Sequence, residues 1–192
     1  GDDTFNMLAG ASLGSLDAGA GNDTLDYTAY GGAVSLDFVN DTYTGLTGSV
    51  AGIEVVRTAN LVDDFVYANN DVNVVETGGG NDTIRIEDGA SLSLVNGDGG
   101  DDTIRVGDGA SVTNIEGGAG SDTVSFEDTA TDTTVTLGGS ASGGATVTTI
   151  NNVENVTGGS GNDTITGDNQ NNVINGGAGN DVLDGDGGND TI

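Results

Sequence analysis

The chain has 192 residues, 31 of them acidic and three basic (Arg57, Arg85, Arg105), with no histidine or cysteine and a formal charge of −28. That balance repels nucleic acid, which needs a basic footprint, and disfavours anionic lipid, which is held by lysine and arginine clusters. Without cysteine there is no disulfide or thiolate zinc site, and without histidine neither the commonest transition-metal ligand nor the usual general base, so a metal would have to be bound by oxygen.

Taken in chain order, one phrase keeps returning: Gly-Gly-x-Gly-x-Asp-x-aliphatic-x. Variants centre on Asp3 and, at a step of 20, Asp23, each followed by an alternating pair, Phe5/Met7 and Leu25/Tyr27, that predicts a short strand with one apolar face. A 41-residue step leads to a weaker copy at Asp64. Within that step Asp41, at a step of 18 from Asp23, is a candidate for a missing rung, although its counterpart at the same step from Asp122 is Ser140. Asp82, Asp102 and Asp122 follow at steps of 18, 20 and 20, with inward pairs Ile84/Ile86, Ile104/Val106 and Val124/Phe126. A second 41-residue step reaches Asp163, after which the spacing falls to nine: Asn172, Asp181 and Asp190. Such self-similarity makes the chain one periodic object.

The phrase predicts an all-β parallel solenoid, a β-roll or β-helix. Glycine reaches positive φ without steric cost and lets backbone approach a ligand, so Gly-Gly-x-Gly is a turn, and the residues after Asp form a strand. The opposite half of each coil is a turn of small residues (Gly10-Ala11-Ser12-Leu13, Gly89-Ala90-Ser91-Leu92, Gly109-Ala110-Ser111-Val112) without a regular acid. Residues 1–157 therefore read as 20-residue coils, including the two 41-residue elements, with one acidic edge and one dry edge. Residues 158–192 read as a continuous extension in nine-residue repeats with acids on both edges. Helix signals are nearly absent. Both ends fall inside a phrase, as expected of a window from a longer protein. No run of about 18 apolar residues marks a membrane span, and no leader is recognisable.

Stacking brings successive Asp carboxylates to about 4.8 Å, the inter-strand spacing, where they repel. Several Ca²⁺ ions between coils would reverse this, since calcium takes six to eight oxygens at about 2.3–2.6 Å and accepts carboxylates mixed with carbonyls, whereas Mg²⁺ demands tighter octahedral geometry. The expected ligands are Asp3, Asp23, Asp64, Asp82, Asp102, Asp122, Asp163, Asn172, Asp181 and Asp190, with main-chain carbonyls of Gly78, Gly80, Gly97, Gly99, Gly118, Gly120, Gly159, Gly161, Gly177 and Gly179. Simple turn-capping carboxylates would not require three glycines at fixed offsets. Asp132 stands off the repeat register and is expected to matter little. The Asn-Asp-Thr triplets match a glycosylation sequon only because Asn fills a variable position of the phrase. Asp168–Val173 lacks the glycine and flanking helices of an EF-hand. Arg85 and Arg105 are expected to pair with outward acids.

The full motifs Gly158-Gly159-Ser160-Gly161-Asn162-Asp163 and Gly176-Gly177-Ala178-Gly179-Asn180-Asp181 resemble the RTX family, the haemolysin-type calcium-binding repeats of bacterial secreted proteins. The segments Ala51–Val56 and Ile150–Val156 look like connectors of long surface RTX proteins. The resemblance implies a parallel β-roll, calcium-triggered folding outside the cell and export by a type I machine. It fixes no activity. The function it suggests is a structural module of a surface-layer protein or adhesin at the bacterial cell surface; the alternative is the calcium-folded tail of a secreted enzyme or toxin. Catalysis within the chain is not expected, because a carbohydrate site would want basic and aromatic residues, and three arginines and four tyrosines without tryptophan, lysine or histidine leave little to build one. The outward residues are also too irregular for an ice-binding lattice. Open strand edges make self-association into arrays an expectation.

Overall fold

The computed structural model describes residues 1–192, except for the side chains of residues 59 and 60. The chain is an all-β solenoid: two long sheets, of eleven and eight strands among the described residues, face each other across one apolar core. The repeat is legible in the register. Thr83, Ile84 and Arg85 lie beside Thr103, Ile104 and Arg105, and these beside Thr123, Val124 and Ser125, all in parallel. Alternation decides the faces, with Ile84, Ile86, Ile104, Val106, Val124 and Phe126 fully buried and the intervening arginines outward.

Arg85 pairs with Asp128 (3.2 Å) and lies 5.0 Å from the Tyr67 ring centre, while Arg105 pairs with Glu127 and Asp128. These pairs are partly exposed, and each contributes at most about 1 kcal/mol.

In the 20-residue coils one short strand lies in the second (eight-stranded) sheet and one longer strand in the first, as with Thr103–Val106 and Ser111–Ala119. In the nine-residue region Thr164–Thr166, Val173–Asn175 and Val182–Asp184 alternate between the sheets, so two successive phrases complete a turn.

The 41-residue steps are not simply two coils. Each contains an antiparallel excursion: Ser35–Asp37 against Thr42–Tyr43 in the first, and Thr134–Thr136 against Ala141–Ser142 in the second. The first is pinned by an edge-to-face contact of Phe38 with Tyr43 and by the Tyr27 hydroxyl, which donates to the Thr44 carbonyl at 2.5 Å. Each step also moves the acidic turn to the opposite edge. The strand after Asp23 belongs to the first sheet and the strand after Asp64 to the second; the strand after Asp122 belongs to the second and the strand after Asp163 to the first. This corrects the expectation of one acidic edge throughout residues 1–157.

Candidate metal centre

The phrase aspartates stand in rows, and each row is a hydrogen-bond ladder. One carboxylate oxygen, Oδ1, accepts the main-chain N–H of the equivalent residue one coil earlier. Asp64 donates to Asp82 (2.7 Å), Asp82 to Asp102 (2.8 Å) and Asp102 to Asp122 (2.8 Å). On the other edge Asp3 donates to Asp23 (2.7 Å), and further along Thr133 donates to Asp163 (2.7 Å) and Asp163 to Asp181 (2.9 Å). A second ladder runs the opposite way through the preceding residue: Asn81 Oδ1 accepts from the Asp101 N–H (2.8 Å) and Asp101 Oδ1 from the Ser121 N–H (2.9 Å). Together the ladders fix both the turn and the direction of the carboxylate.

The second oxygen, Oδ2, is what the ladder leaves over. In Asp23, Asp82, Asp102 and Asp122 it is buried without a hydrogen-bond partner. A buried carboxylate in that condition is costly unless a proton or a cation relieves it. Burial, then the like charges of Asp82, Asp122 and Asp101, pushes Asp102 up to about 7 against the opposing pull of its backbone hydrogen bond. Burial likewise pushes Asp82 up to about 6, while its backbone hydrogen bond and the nearby Thr77 hydroxyl pull the other way. Asp122 is raised by burial first and then by Glu154 and Asp101.

At Asp102 and Asp122 glycine at the first phrase position keeps this oxygen accessible, whereas Thr77 and Ala18 hold that position before Asp82 and Asp23. A methyl group on Gly97 would run into Oδ2 of Asp102 and the carbonyl oxygen of Gly117, and one on Gly117 would meet Oδ2 of Asp122 and the carbonyl of Asn152. The fourth position needs glycine for a different reason: Gly80, Gly100 and Gly120 have φ of 119°, 131° and 154°, and a methyl on Gly100 would overlap the Gly80 carbonyl. The orphaned oxygens, the carbonyls beside them and the side-chain-free cradle suit a hard cation with a flexible shell of oxygens, as Ca²⁺ is. Among the described residues no three acidic side chains converge, so a cation bound here would take most of its oxygens from the main chain.

The expected ligands fare differently. Asp23, Asp82, Asp102 and Asp122 present a free oxygen, whereas Asp163 spends Oδ2 on the Gly159 N–H (2.7 Å). Asn172 is turned inward upon its own turn: its amide oxygen accepts from Asp168 (2.9 Å) and its amide nitrogen donates to the Glu154 carbonyl (2.8 Å). Asp190 Oδ1 accepts from the Asn172 N–H (3.0 Å). Asp41 lies outside every row, exposed at φ 53° in the excursion turn, where the Tyr43 hydroxyl donates to it (3.1 Å). Among the expected glycine carbonyls, Gly97 stands at the cradle position. Gly99 and Gly159 give their carbonyls to the Gly80 and Ala178 N–H groups (2.9 Å each). Gly78, Gly118 and Gly177 provide the left-handed second position (φ 87°, 121° and 86°). Gly161 offers its carbonyl toward Gly179 of the next coil.

Three residues of the rows escaped the sequence pattern. Asp132 sits in register after all, accepting from the Asn162 N–H (2.8 Å) in the second ladder, one residue before Thr133. Glu54 and Glu154 occupy aspartate positions: Oε2 of Glu54 accepts from the Asp23 N–H (2.8 Å) and Oε2 of Glu154 from the Asp122 N–H (2.9 Å). Their turns lack the glycine triplet; what could have revealed them is the recurrence of Gly52-Ile53-Glu54-Val55-Val56 as Asn152-Val153-Glu154-Asn155-Val156.

Residues 15–29, 63–84 and 157–192 match the RTX calcium-binding nonapeptide repeat (4 copies). No curated protein matches the chain. These segments are similar to RTX repeats, and that similarity implies Ca²⁺ binding. The matched segments include Asp23, Asp64, Asp82 and Asp163. Asp102 and Asp122 fall outside them, yet they continue the row of Asp82 without a break.

Proposed function

We propose that this calcium-binding repeat module is a structural element of a secreted or cell-surface bacterial protein, of surface-layer or adhesin type, which stays loose where calcium is scarce and stiffens outside the cell. The observation that carries the reading is the row of buried Oδ2 atoms at Asp82, Asp102 and Asp122, each without a partner. With 31 acids in the chain, repulsion keeps it extended and fit for type I export. A bound Ca²⁺ supplies the positive charge that lets successive carboxylates approach. The protein's own part is to aim the carboxylates with the N–H ladder, exclude side chains with glycine, and bury the aliphatic line that no single coil could bury alone. Binding free energy then becomes folding free energy, with sites of the extracellular class half-filled at about 0.1–1 mM. No catalysis is assigned to these residues, and association with further copies fits a role in arrays.

The test is circular dichroism with small-angle scattering during a calcium titration. Coil and an expanded envelope are expected in chelator, with β signal and a rod-like envelope gained cooperatively in millimolar calcium. The same spectrum and envelope in both conditions would remove the proposal.

A further inference from the structure

We infer that Glu54 and Glu154 are ligands of two further calcium sites, one shared with Asp23 and one with Asp122, at the places where the acidic turn changes edges. The inference rests on the calcium reading above and extends it to turns outside the matched repeat segments.

The register shows how these turns differ from the rest. Glu116 pairs with Asn151 and Thr123 with Asn155, so six residues (117–122) on one coil face three (152–154) on the next. The other step repeats this: Asp17 pairs with Ala51 and Thr24 with Val55, setting residues 18–23 against 52–54. Both short turns place a left-handed residue two positions before the acid (Gly52, φ 66°; Asn152, φ 49°), and both bury the aliphatic residue between, Ile53 and Val153. A turn three residues shorter brings the acid to the strand by a more direct path. The extra methylene of glutamate spans that difference and brings Oε2 to the N–H that an aspartate would otherwise serve.

The independent sign of a ligand is on the partner residue. Oδ2 of Asp23 and Oδ2 of Asp122 are buried, with both residues fully enclosed, and neither has a hydrogen-bond partner. The Asn152 carbonyl stands beside the Gly117 cradle that holds Asp122 Oδ2, where Gly117 itself stands for Asp102. At the second site the unpartnered Asp122 Oδ2 and the Asn152 carbonyl border the same cradle, and at both sites the glutamate is tied to the aspartate whose Oδ2 is left over, through that residue's N–H.

Calcium stoichiometry, measured by native mass spectrometry and calorimetry on the whole chain, tests this with Glu54→Gln, Glu154→Gln and the double variant. Glutamine keeps an oxygen for the Asp23 or Asp122 N–H, so the ladder survives while the charge is lost. Each single variant is expected to bind one ion fewer at saturating calcium, and the double variant two fewer, with Asp71→Asn unchanged. Glu154→Asp, which keeps the charge but shortens the reach, is expected to lose the same ion as Glu154→Gln. If the double variant fails to fold, the single variants decide. Unchanged ion counts in both single variants would overturn the inference while leaving calcium binding by the parent intact; no calcium binding by the parent would instead overturn the underlying reading.

Discussion

Replacing Asp102 by asparagine should reverse the order of stability between calcium and chelator. Asp102 Oδ1 accepts from Asp82 (2.8 Å) and its N–H donates to Asp122 (2.8 Å), contacts an amide can keep. What changes is Oδ2, which has no partner. Raising this carboxyl from 3.8 to about 7 corresponds to on the order of 4 kcal/mol once the group ionises. Desolvating the replacement amide returns about 1–2 kcal/mol, so the variant should be more stable than the parent by about 2 kcal/mol in chelator at pH 8. Asn172 shows that such an amide can be housed, since its nitrogen reaches the Glu154 carbonyl at 2.8 Å. In calcium the sign flips, because the variant removes a charged ligand from the rungs on either side. Each site lost withdraws about 2.7 kcal/mol at a hundredfold excess over its dissociation constant. The assay is circular dichroism in two arms: the trimethylamine oxide concentration that induces β structure in chelator, and the urea midpoint in calcium. Asp71→Asn, exposed and outside both ladders, serves as the control. A variant that needs as much osmolyte as the parent, or that calcium stabilises equally, would refute the reasoning.

Protons should compete with calcium for the same oxygens. Because burial raises Asp82 to about 6 and Asp102 to about 7, the metal-free fold gains stability from their protonated forms. That contribution is complete below about 3.8 and is lost as pH rises through 6–7. Calcium needs the ionised forms, so its affinity for the folded chain has the opposite slope: with the metal-free fold held by trimethylamine oxide, calorimetry should show binding at a site limited by Asp102 weaker by on the order of 30-fold at pH 5.5 than at pH 8, with protons released on binding. Equal affinities would contradict the burial argument. Among the glycines, Gly100→Ala should be severe, because φ is 131° and the new methyl would overlap the Gly80 carbonyl. Gly10→Ala, at φ 78° with open space around it, should lose only about 1 kcal/mol. Urea midpoints in calcium compare the two, and similar losses would count against the close approach of successive coils.

Much of the fold was legible because the coil period and the two-residue alternation coincide. Ile84/Ile86 and Ile104/Val106 could be placed inward from spacing alone, and the outward arginines found the acids expected of them. The edge on which a coil carries its acid was not legible, because the phrase around Asp23 and that around Asp64 spell the same local turn; the difference lies in the excursion between them. Asp132 was hidden because its turn, Thr129-Ala130-Thr131-Asp132-Thr133, has no glycine, and only the pairing with Asn162 reveals its rung. Glu54 and Glu154 were hidden by length: a search for aspartate after a six-residue turn passes over glutamate after a three-residue one.

The ladder geometry also says how far a calcium response should spread. Each Asp is oriented by the N–H of the preceding coil and in turn donates to the next, so ordering one rung prepares its neighbours. Ladder hydrogen bonds that join only adjacent coils make this part of the stability a chain of nearest-neighbour couplings. Asn172 interrupts that chain: its oxygen is turned to Asp168 rather than to the Glu154 N–H, which bonds instead to the Asp122 carbonyl at 3.2 Å. The ladder acids therefore divide into a row from Asp3 to Glu54, a row from Asp64 to Glu154, the shorter row of Asp163 and Asp181, and Asp190, which serves the Asn172 N–H. Cooperativity runs along each row, while the shared core, not the carboxylates, couples one row to the next. A chain built this way can begin to order at any of its rows and still end as one continuous solenoid.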